Sequence, residues 1–338
     1  MLRSLLCVAL VFVGSLAYGG DESRKGTTGA DQLLIPVGAR SIATGGAFLA
    51  TTRGVEAIYY NPAGLAATPR SEAMFSYMSY IADINVSYFA VSAHLEDLGT
   101  FALSYKTLDF GKIPVTTFDQ PDGTGATYSP GFFTLGLSYA RPITDRVSAG
   151  ITTKLVNESV MSTSAMGFAI DFGVQYKFQS DLALGVAIKN IGSNMKYSGT
   201  DLLTRTDVPS SANGAPGAVY SPDTEPFQMP SYFELSVSYD VRINDMNGVM
   251  LGATFRNNNA LEDQAMVGLE YRAFNVLFLR GGYETSVKNT NTSLYGINFG
   301  AGIEYTLENS LQVAVDYAFR SVKEFPSDNH IFTVKLGF

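Results

Sequence analysis

The ionisable residues best placed to do chemistry stand at alternate positions of predicted β-strands, on the face that also carries small and polar residues. Charges of both signs share this face: Lys106, Lys154, Asp171, Lys177, Lys189, Glu234, Asp240, Arg242, Arg256, Glu270, Arg272, Arg280, Glu284, Glu304, Asp316, Arg320 and Lys335. Selective ion pores usually present a ring of one sign, whereas mixed signs suit hydrogen-bonded networks that brace the strands and a segment packed against them. The pattern therefore favours a structural role, and ion permeation along this face is the alternative.

The sequence offers few residues that could carry out catalysis. The chain has two histidines, His94 and His330, and the predicted strands place them at opposite ends of the molecule. It contains no phosphate-binding loop, no HExxH zinc motif and no GxSxG nucleophile elbow. The single cysteine, Cys7, lies in a segment that we expect to be removed, so no thiol would remain to bind a metal. We expect a protein that is not an enzyme and that needs neither a metal nor a cofactor.

The composition indicates a membrane protein that crosses with strands. The 338 residues are 46% hydrophobic and only 16% charged, and they include 19 Tyr and 22 Phe. A soluble surface is expected to be about a quarter charged or more. After residue 19, however, no apolar run reaches the roughly 18 residues that a membrane helix needs. These features favour a transmembrane β-barrel, and a large secreted β-sandwich or solenoid is the alternative. The net charge of −8 argues against nucleic acid as a partner.

The first nineteen residues have the three parts of a secretory signal peptide. Arg3 supplies a positive start, residues 5–16 form a short apolar core, and Ala17-Tyr18-Gly19 offers small residues for cleavage. We therefore predict a signal peptide over 1–19, with cleavage after about Gly19.

Fourteen strand-like runs with period-2 alternation follow from residue 71 onward. The predicted runs are 71–81, 84–95, 99–110, 132–141, 146–158, 164–178, 181–191, 231–243, 247–257, 263–273, 275–286, 294–306, 310–321 and 329–338. Every long connection follows an odd-numbered run, and the connections after even-numbered runs are all short. Outer-membrane barrels have short periplasmic turns and longer external loops, so this asymmetry predicts an all-β, 14-stranded antiparallel transmembrane barrel. It also places the N-terminal segment on the periplasmic side.

Two of the fourteen predicted strands alternate poorly. In 71–81 and 84–95 the large residues Met74, Met78, Tyr80, Tyr88 and Phe89 fall on both parities. A bulge, a kink in the wall, or contact with a segment inside the barrel would each explain this pattern.

The last strand ends with apolar residues at alternate positions, Phe332, Val334, Leu336 and Phe338. An alternating strand that ends in Phe resembles the signal by which bacterial outer-membrane barrels are recognised for insertion. It predicts the barrel-assembly machinery and outer-membrane lipid as partners, and the bacterial outer membrane as the location.

The stretch before the barrel, Val37 to Ala67, is dense in small residues, which allow close backbone approach and positive φ angles. Asn61-Pro62-Ala63-Gly64 reads as an N-cap followed by proline at the first helical position. A barrel of about 8 strands fills itself with side chains and one of 16–18 leaves a channel, so the lumen of fourteen strands would be either open or plugged. We predict that residues 20–70 form a partly helical plug, including Gly38, Arg40, Gly45, Gly46 and Phe48, and that 71–338 form the barrel.

The sequence GARSIATGGAFLATTRGVEAIYYNPAGLA, followed by fourteen strands, resembles the FadL superfamily of outer-membrane proteins, where an N-terminal hatch with an Asn-Pro-Ala motif blocks the barrel. By that resemblance Asn61, Pro62, Ala63 and Gly64 would form the hatch motif. The form of this stretch, together with the modest length of the chain, is closer to the PorV/PorQ branch, which is linked to type IX secretion.

The resemblance implies two functions. The first is an accessory of type IX secretion that binds or shuttles exported proteins, with secretion-system components as partners. The alternative is a passive transporter of long-chain fatty acids or other hydrophobic small molecules.

Overall fold

The computed structural model describes residues 26–206, 217–288, 293–307 and 311–338. The predicted signal peptide and residues 20–25 of the predicted plug lie outside this part of the chain. Long β-strands make up most of it, and we number the fourteen barrel strands β1 to β14. Their bounds are Glu72–Ser79, Asn85–Leu95, Gly99–Asp109, Gly131–Pro142, Val147–Val160, Thr163–Lys177, Leu182–Gly192, Tyr232–Arg242, Gly248–Asn258, Gln264–Ala273, Leu277–Ser286, Tyr295–Thr306, Gln312–Val322 and Asn329–Gly337.

The fourteen strands form one closed antiparallel ring, as the alternation predicts. Each strand pairs with its neighbours in the chain, and β1 pairs with β14 from Glu72 opposite Gly337 to Ser79 opposite His330. Ser71 and Phe338 extend this seam by two backbone hydrogen bonds of 3.1 and 3.0 Å. A closed ring has no free strand edge, so every wall strand has a hydrogen-bonded partner on both sides.

The two faces of the wall are those that the alternation predicts. In β6 the side chains of Phe168 and Phe172 point outward and are 59% and 47% exposed, whereas Asp171 points inward and is fully buried. The outer face of the other strands is likewise apolar, with Leu137, Ile297 and Phe332 each more than half exposed. The barrel therefore presents an apolar exterior and encloses its charged residues.

The connections divide the barrel into two different ends. The connections after even-numbered strands are short, and we call their side the turn end; they comprise 96–98, 143–146, 178–181, 243–247, 274–276 and 307–311. The longest connections, 110–130 and 193–231, both follow odd-numbered strands, and we call their side the loop end. Short segments pair within or beside these two connections: Ile113–Pro114, Thr127–Tyr128, Ser198–Gly199, Thr204–Thr206 and Ala218–Tyr220. The predicted asymmetry is therefore present.

The first two strands are regular, so the kink considered from the sequence is absent from them. Both β1 and β2 alternate between buried and exposed residues along their length up to Ala93, with Met74, Met78 and Tyr88 inward and Phe75 and Phe89 outward. The inward residues are large because they pack against the segment inside the barrel. Of the three explanations for their poor alternation, contact with an interior segment is the correct one.

Residues 30–67, which we call the interior segment, run through the inside of the ring in short helical turns. Two α-helices, α1 at Ala39–Ala43 and α2 at Ala57–Tyr60, alternate with 3₁₀ helices at Asp31–Leu34, Gly54–Glu56 and Pro62–Ala67. Further 3₁₀ turns lie at Glu96–Leu98 and Thr200–Leu202. No helix in the described ranges is long and apolar enough to cross a membrane.

The interior segment supplies the core of the molecule. Its apolar residues Val55, Ile58 and Leu65 are buried, and they pack with Met74 and Tyr88 of the wall. A second cluster joins Ile42 of α1 to Ile331 of β14. The ring is therefore filled across its width by its own N-terminal residues.

Candidate functional site

The predicted Asn-Pro-Ala-Gly motif forms a cap that also binds the barrel wall. Asn61 has an extended backbone, and its Oδ1 accepts a 3.2 Å hydrogen bond from the Ala63 N–H, with Pro62 at the first helical position. The turn that follows is a 3₁₀ helix. The Asn61 Nδ2 donates to the backbone carbonyls of Val174 and Val186, at 3.1 and 3.3 Å, on β6 and β7. One buried side chain thus caps a helical turn and joins it to two wall strands.

Glycine is required at position 64 because the chain crosses itself there. A Cβ added to Gly64 would lie 2.1 Å from the carbonyl oxygen of Thr52, which is far below van der Waals contact. The four predicted hatch residues are therefore brought together in one tight turn.

The predicted plug residues all lie in the interior segment. Gly38 has φ +83° and precedes α1, whose Ser41 N–H donates to the Glu56 carboxylate at 2.9 Å. Gly45 and Gly46 follow with φ +65° and +76°, a conformation that favours glycine. Phe48 packs against Gly252 of β9, where an added Cβ would lie 2.3 Å from its ring.

Arg40 of α1 joins the interior segment to a charged network on the wall. Its guanidinium binds both oxygens of Glu270 on β10, at 2.9 and 3.0 Å. Glu270 also accepts from Arg280 at 2.6 Å, and Arg280 pairs with Asp316 on β13. All of these side chains are mostly buried, and a two-pronged Arg–carboxylate contact is both strong and directional.

The other predicted inward charges mostly occur as ion pairs between wall strands. Lys154–Asp171 is 2.6 Å, Arg256–Glu234 is 2.8 Å and Arg320–Glu284 is 2.7 Å. At the turn end the contact is looser, because Arg272 and Asp240 are 3.9 Å apart and Arg242 is exposed. Most of the positive and negative inward side chains predicted from the sequence thus form ion pairs inside the barrel.

Two buried lysines bind the backbone of the interior segment instead of a carboxylate. Lys106 donates to the carbonyls of Gln32 and Ile35, at 2.6 and 3.0 Å, and Lys189 donates to the Tyr59 carbonyl. The sequence shows both as inward charges, but it contains no signal for partners that lie on the backbone of a distant segment.

The wall is fitted to the interior segment by a set of inward glycines that sequence reasoning did not single out. A Cβ added at any of them would come within 2.0–2.7 Å of an atom of the interior segment. We call them the contact glycines: Gly150, Gly173, Gly185, Gly252, Gly268, Gly282 and Gly300. They lie on β5, β6, β7, β9, β10, β11 and β12. The sequence feature that could have revealed them is a glycine at an inward position within each of these seven strands.

Cavities remain on both sides of the interior segment. At the loop end a cavity of about 340 Å³ is lined by Leu34, Ile35, Leu261 and Leu294, with Arg256 and Arg320 among its polar residues. At the turn end are cavities of about 620 and 260 Å³, both of which Arg53 and Met250 line. Within the described residues, no cluster of side chains is arranged to hold a metal ion.

Solved structures, two toluene transporters among them, are similar to this chain over most of its length. The toluene transporter TodX of P. putida has a TM-score of 0.56 at 15% identity, over 89% of this chain and 96% of TodX. A FadL homologue of Pseudomonas aeruginosa gives 0.55 at 13%, over 90% and 98%. The toluene transporter TbuX of Ralstonia pickettii gives 0.55 at 14%, over 89% and 98%. This chain shares their fold.

Sequence comparison adds no closer relative. No protein-family model matches the chain, and no curated protein matches it. The structural similarity covers 89–90% of this chain, so the fold expected from the Asn-Pro-Ala resemblance is confirmed.

Replacing Asn61 should loosen the interior segment while leaving the barrel closed. Asn61→Ala removes the cap and both bonds to the wall, and the buried groups left unpaired should cost about 1–3 kcal/mol. We expect faster amide hydrogen exchange in residues 57–67, measured by mass spectrometry in detergent, with unchanged exchange in the wall strands.

Asn61→Asp separates the two roles of this side chain. Aspartate can still accept from the Ala63 N–H, but it cannot donate to the carbonyls of Val174 and Val186. If amide exchange in residues 57–67 of the Asn61→Asp variant is as slow as in the unmodified protein, the hydrogen bonds to Val174 and Val186 do not hold the interior segment in place, contrary to the geometry.

Proposed function

We propose that this protein is an outer-membrane channel for the passive entry of hydrophobic small molecules, with the interior segment as its hatch. The observation that carries the proposal is the shared fold, over almost the whole chain, with transporters of toluene. A cavity at the loop end, beside the interior segment, gives such a molecule a place to bind, with Leu34, Ile35, Leu261 and Leu294 among polar lining residues.

The surfaces of the barrel support this location. The outer face is apolar, and outer-membrane barrels place their short turns in the periplasm and their long loops outside the cell. The residues of the proposed insertion signal, Phe332, Val334, Leu336 and Phe338, all point outward and are 38–63% exposed. On this orientation the loop end faces the medium, and residues 1–19 are a signal peptide cleaved on export.

The loop-end cavity suits a small and largely uncharged molecule. Its volume of about 340 Å³ lies at the lower end of the range for ligand pockets. Its two guanidinium groups, on Arg256 and Arg320, are already paired with Glu234 and Glu284. Leu34, Ile35, Leu261 and Leu294 would contribute binding energy by covering apolar surface of the molecule.

A tryptophan reporter tests this binding site, because the natural sequence contains no Trp. Leu294→Trp places an indole at the rim of the loop-end cavity. We expect toluene, added to the purified variant in detergent, to change its emission along a saturable curve, because toluene occupies the cavity beside the indole.

The matched control is Val219→Trp, in a surface segment where the side chain is 62% exposed. Toluene dissolved in the detergent reaches both reporters, so only the difference between them measures the cavity. Identical, non-saturable responses of the two variants would exclude the loop-end cavity as a toluene-class site.

A second function, an accessory role in type IX secretion, rests on the PorV/PorQ-like form of residues 37–67 and the modest chain length. In that case the interior segment would stay closed, and secretion-system components or exported proteins would bind the barrel. The genomic neighbourhood separates the two functions. Secretion-machinery genes would favour this second function, whereas genes for degrading hydrocarbons or aromatics would favour the channel.

A further inference from the structure

The smaller turn-end cavity, about 260 Å³ in volume, is lined by an excess of positive charge. Its cationic lining residues are Arg40, Arg53, Arg70, Arg272, Arg280 and Lys335, and its anionic ones are Glu72, Glu270 and Glu304. The protein as a whole carries a net charge of −8, so this cavity is a local reversal of sign.

Each of the three carboxylates of the cavity has a donor within the protein. Glu270 binds Arg40 and Arg280, and Arg280 also pairs with Asp316, so two of the cations are matched by two carboxylates. Glu72 accepts from the Val55 N–H at 2.9 Å, and Glu304 accepts from the Gln312 side-chain amide.

The other four cations, Arg53, Arg70, Arg272 and Lys335, have no carboxylate in close contact and face only the charges of Glu72 and Glu304 in the lining. Arg53, Arg70 and Lys335 make no hydrogen bond or ion pair with the described residues. Arg272 is 3.9 Å from Asp240, and its buried Nε has no hydrogen-bond partner within the described part of the chain. Four cations and two carboxylates therefore surround one space, which leaves an excess of positive charge there.

Like charges gathered in a partly enclosed cavity repel each other, and the low-dielectric walls strengthen that repulsion. A bound anion relieves it and also supplies acceptors for donors that otherwise lack them. Arginine is well suited to this task, because its planar group matches the two oxygens of a carboxylate or phosphate.

We propose that the smaller turn-end cavity binds a compact oxyanion, either a carboxylate or a phosphate group. The cavity is smaller than a usual ligand pocket of roughly 300–1,000 Å³, which favours a small anion or the charged head of a longer molecule. This site lies on the opposite side of the interior segment from the loop-end cavity, and it does not depend on the proposed transport.

Isothermal titration calorimetry of the purified full chain in a phosphate-free maltoside detergent tests the proposal. Inorganic phosphate and hexanoate represent the two sources of the oxyanion, and hexanol is the uncharged match for hexanoate. At low salt we expect at least one of the two anions to bind saturably, and hexanol to give no such binding at this site. Raising the salt to several hundred millimolar should weaken the binding, because mobile ions screen the cations.

One triple and two single substitutions test whether the anion binds in this cavity. The triple change Arg53→Gln, Arg70→Gln and Lys335→Gln breaks no ion pair with the described residues, and it should weaken anion binding by about tenfold or more. Glu304→Gln removes a negative charge from the lining and should strengthen binding. Lys112→Gln, which removes an exposed cation from the 110–130 connection, should leave binding unchanged.

Each outcome decides the proposal. Phosphate binding that the triple variant loses identifies a phosphate-type site, and hexanoate binding lost in the same way identifies a carboxylate site. The proposal is wrong if neither anion binds the unmodified chain, or if the triple variant binds as tightly as the unmodified protein. Circular dichroism and unheated gel migration of the triple variant check that the barrel is intact.

Discussion

Deleting residues 38–66 should turn an almost silent barrel into one that conducts ions steadily in planar bilayers. The fourteen strands would remain, with their pairing and the closing seam between β1 and β14. The lumen would lose the side chains that now fill it, including the buried core residues Val55, Ile58 and Leu65. A ring of this width lies between barrels that fill themselves and those that leave an aqueous channel, so water and ions should enter.

Single-channel recording at matched protein amounts measures this effect, and unheated gel migration reports whether the deleted form is still a barrel. If a folded deletion variant conducts no better than the intact chain, residues 38–66 do not close the lumen. The segment would then act differently, for example as a periplasmic docking arm, and the secretion function would gain support.

Gly282→Val should displace the interior segment, whereas Gly281→Val, one residue away on β11, should be tolerated. A Cβ at Gly282 would lie 2.2 Å from the carbonyl carbon of Thr44 and 2.5 Å from the Gly45 nitrogen. Both are backbone atoms, so the helical turn itself must move. Overpacking of this kind costs about 1–3 kcal/mol or more.

The control substitution, Gly281→Val, is on the opposite face of the same strand. The nearest atom to a Cβ at Gly281 is the Asn298 carbonyl oxygen at 4.0 Å, and the position is on the outer face. Valine there adds a strand-favouring side chain that contacts only the surroundings of the barrel. We expect channel openings and faster hydrogen exchange in residues 39–48 for Gly282→Val alone. Equal behaviour of the two variants would contradict the close contact between wall and interior segment.

Strand positions and the direction of their side chains could be predicted from the sequence because both depend on local alternation. Successive side chains of a strand point to opposite faces, so Asp171 points inward and its neighbour Phe172 points outward, and this alternation repeats along the strand. The Asn61 cap was predictable for a similar reason, since its acceptor and donor are two residues apart.

The contacts that fix the interior segment could not be predicted in the same way, because they join residues far apart in the chain. The Ala39 N–H donates to the Thr333 hydroxyl on β14, and Lys106 binds carbonyls near residue 33. No local pattern encodes such partners. The same contacts account for the poor alternation of β1 and β2, for which contact with an interior segment was one of three explanations open from the sequence.

The contacts of the interior segment with late strands of the barrel set an order of events during folding. The interior segment is synthesised before any strand, yet it binds Glu270 on β10 and Thr333 on β14 through Arg40 and Ala39. Contacts between such distant residues form slowly, because a long loop of chain must close first. Residues 30–67 can therefore complete their contacts only after the last strands have joined the ring. If the protein is exported as proposed, a periplasmic chaperone that shields residues 30–67 should raise the yield of correctly sealed barrels.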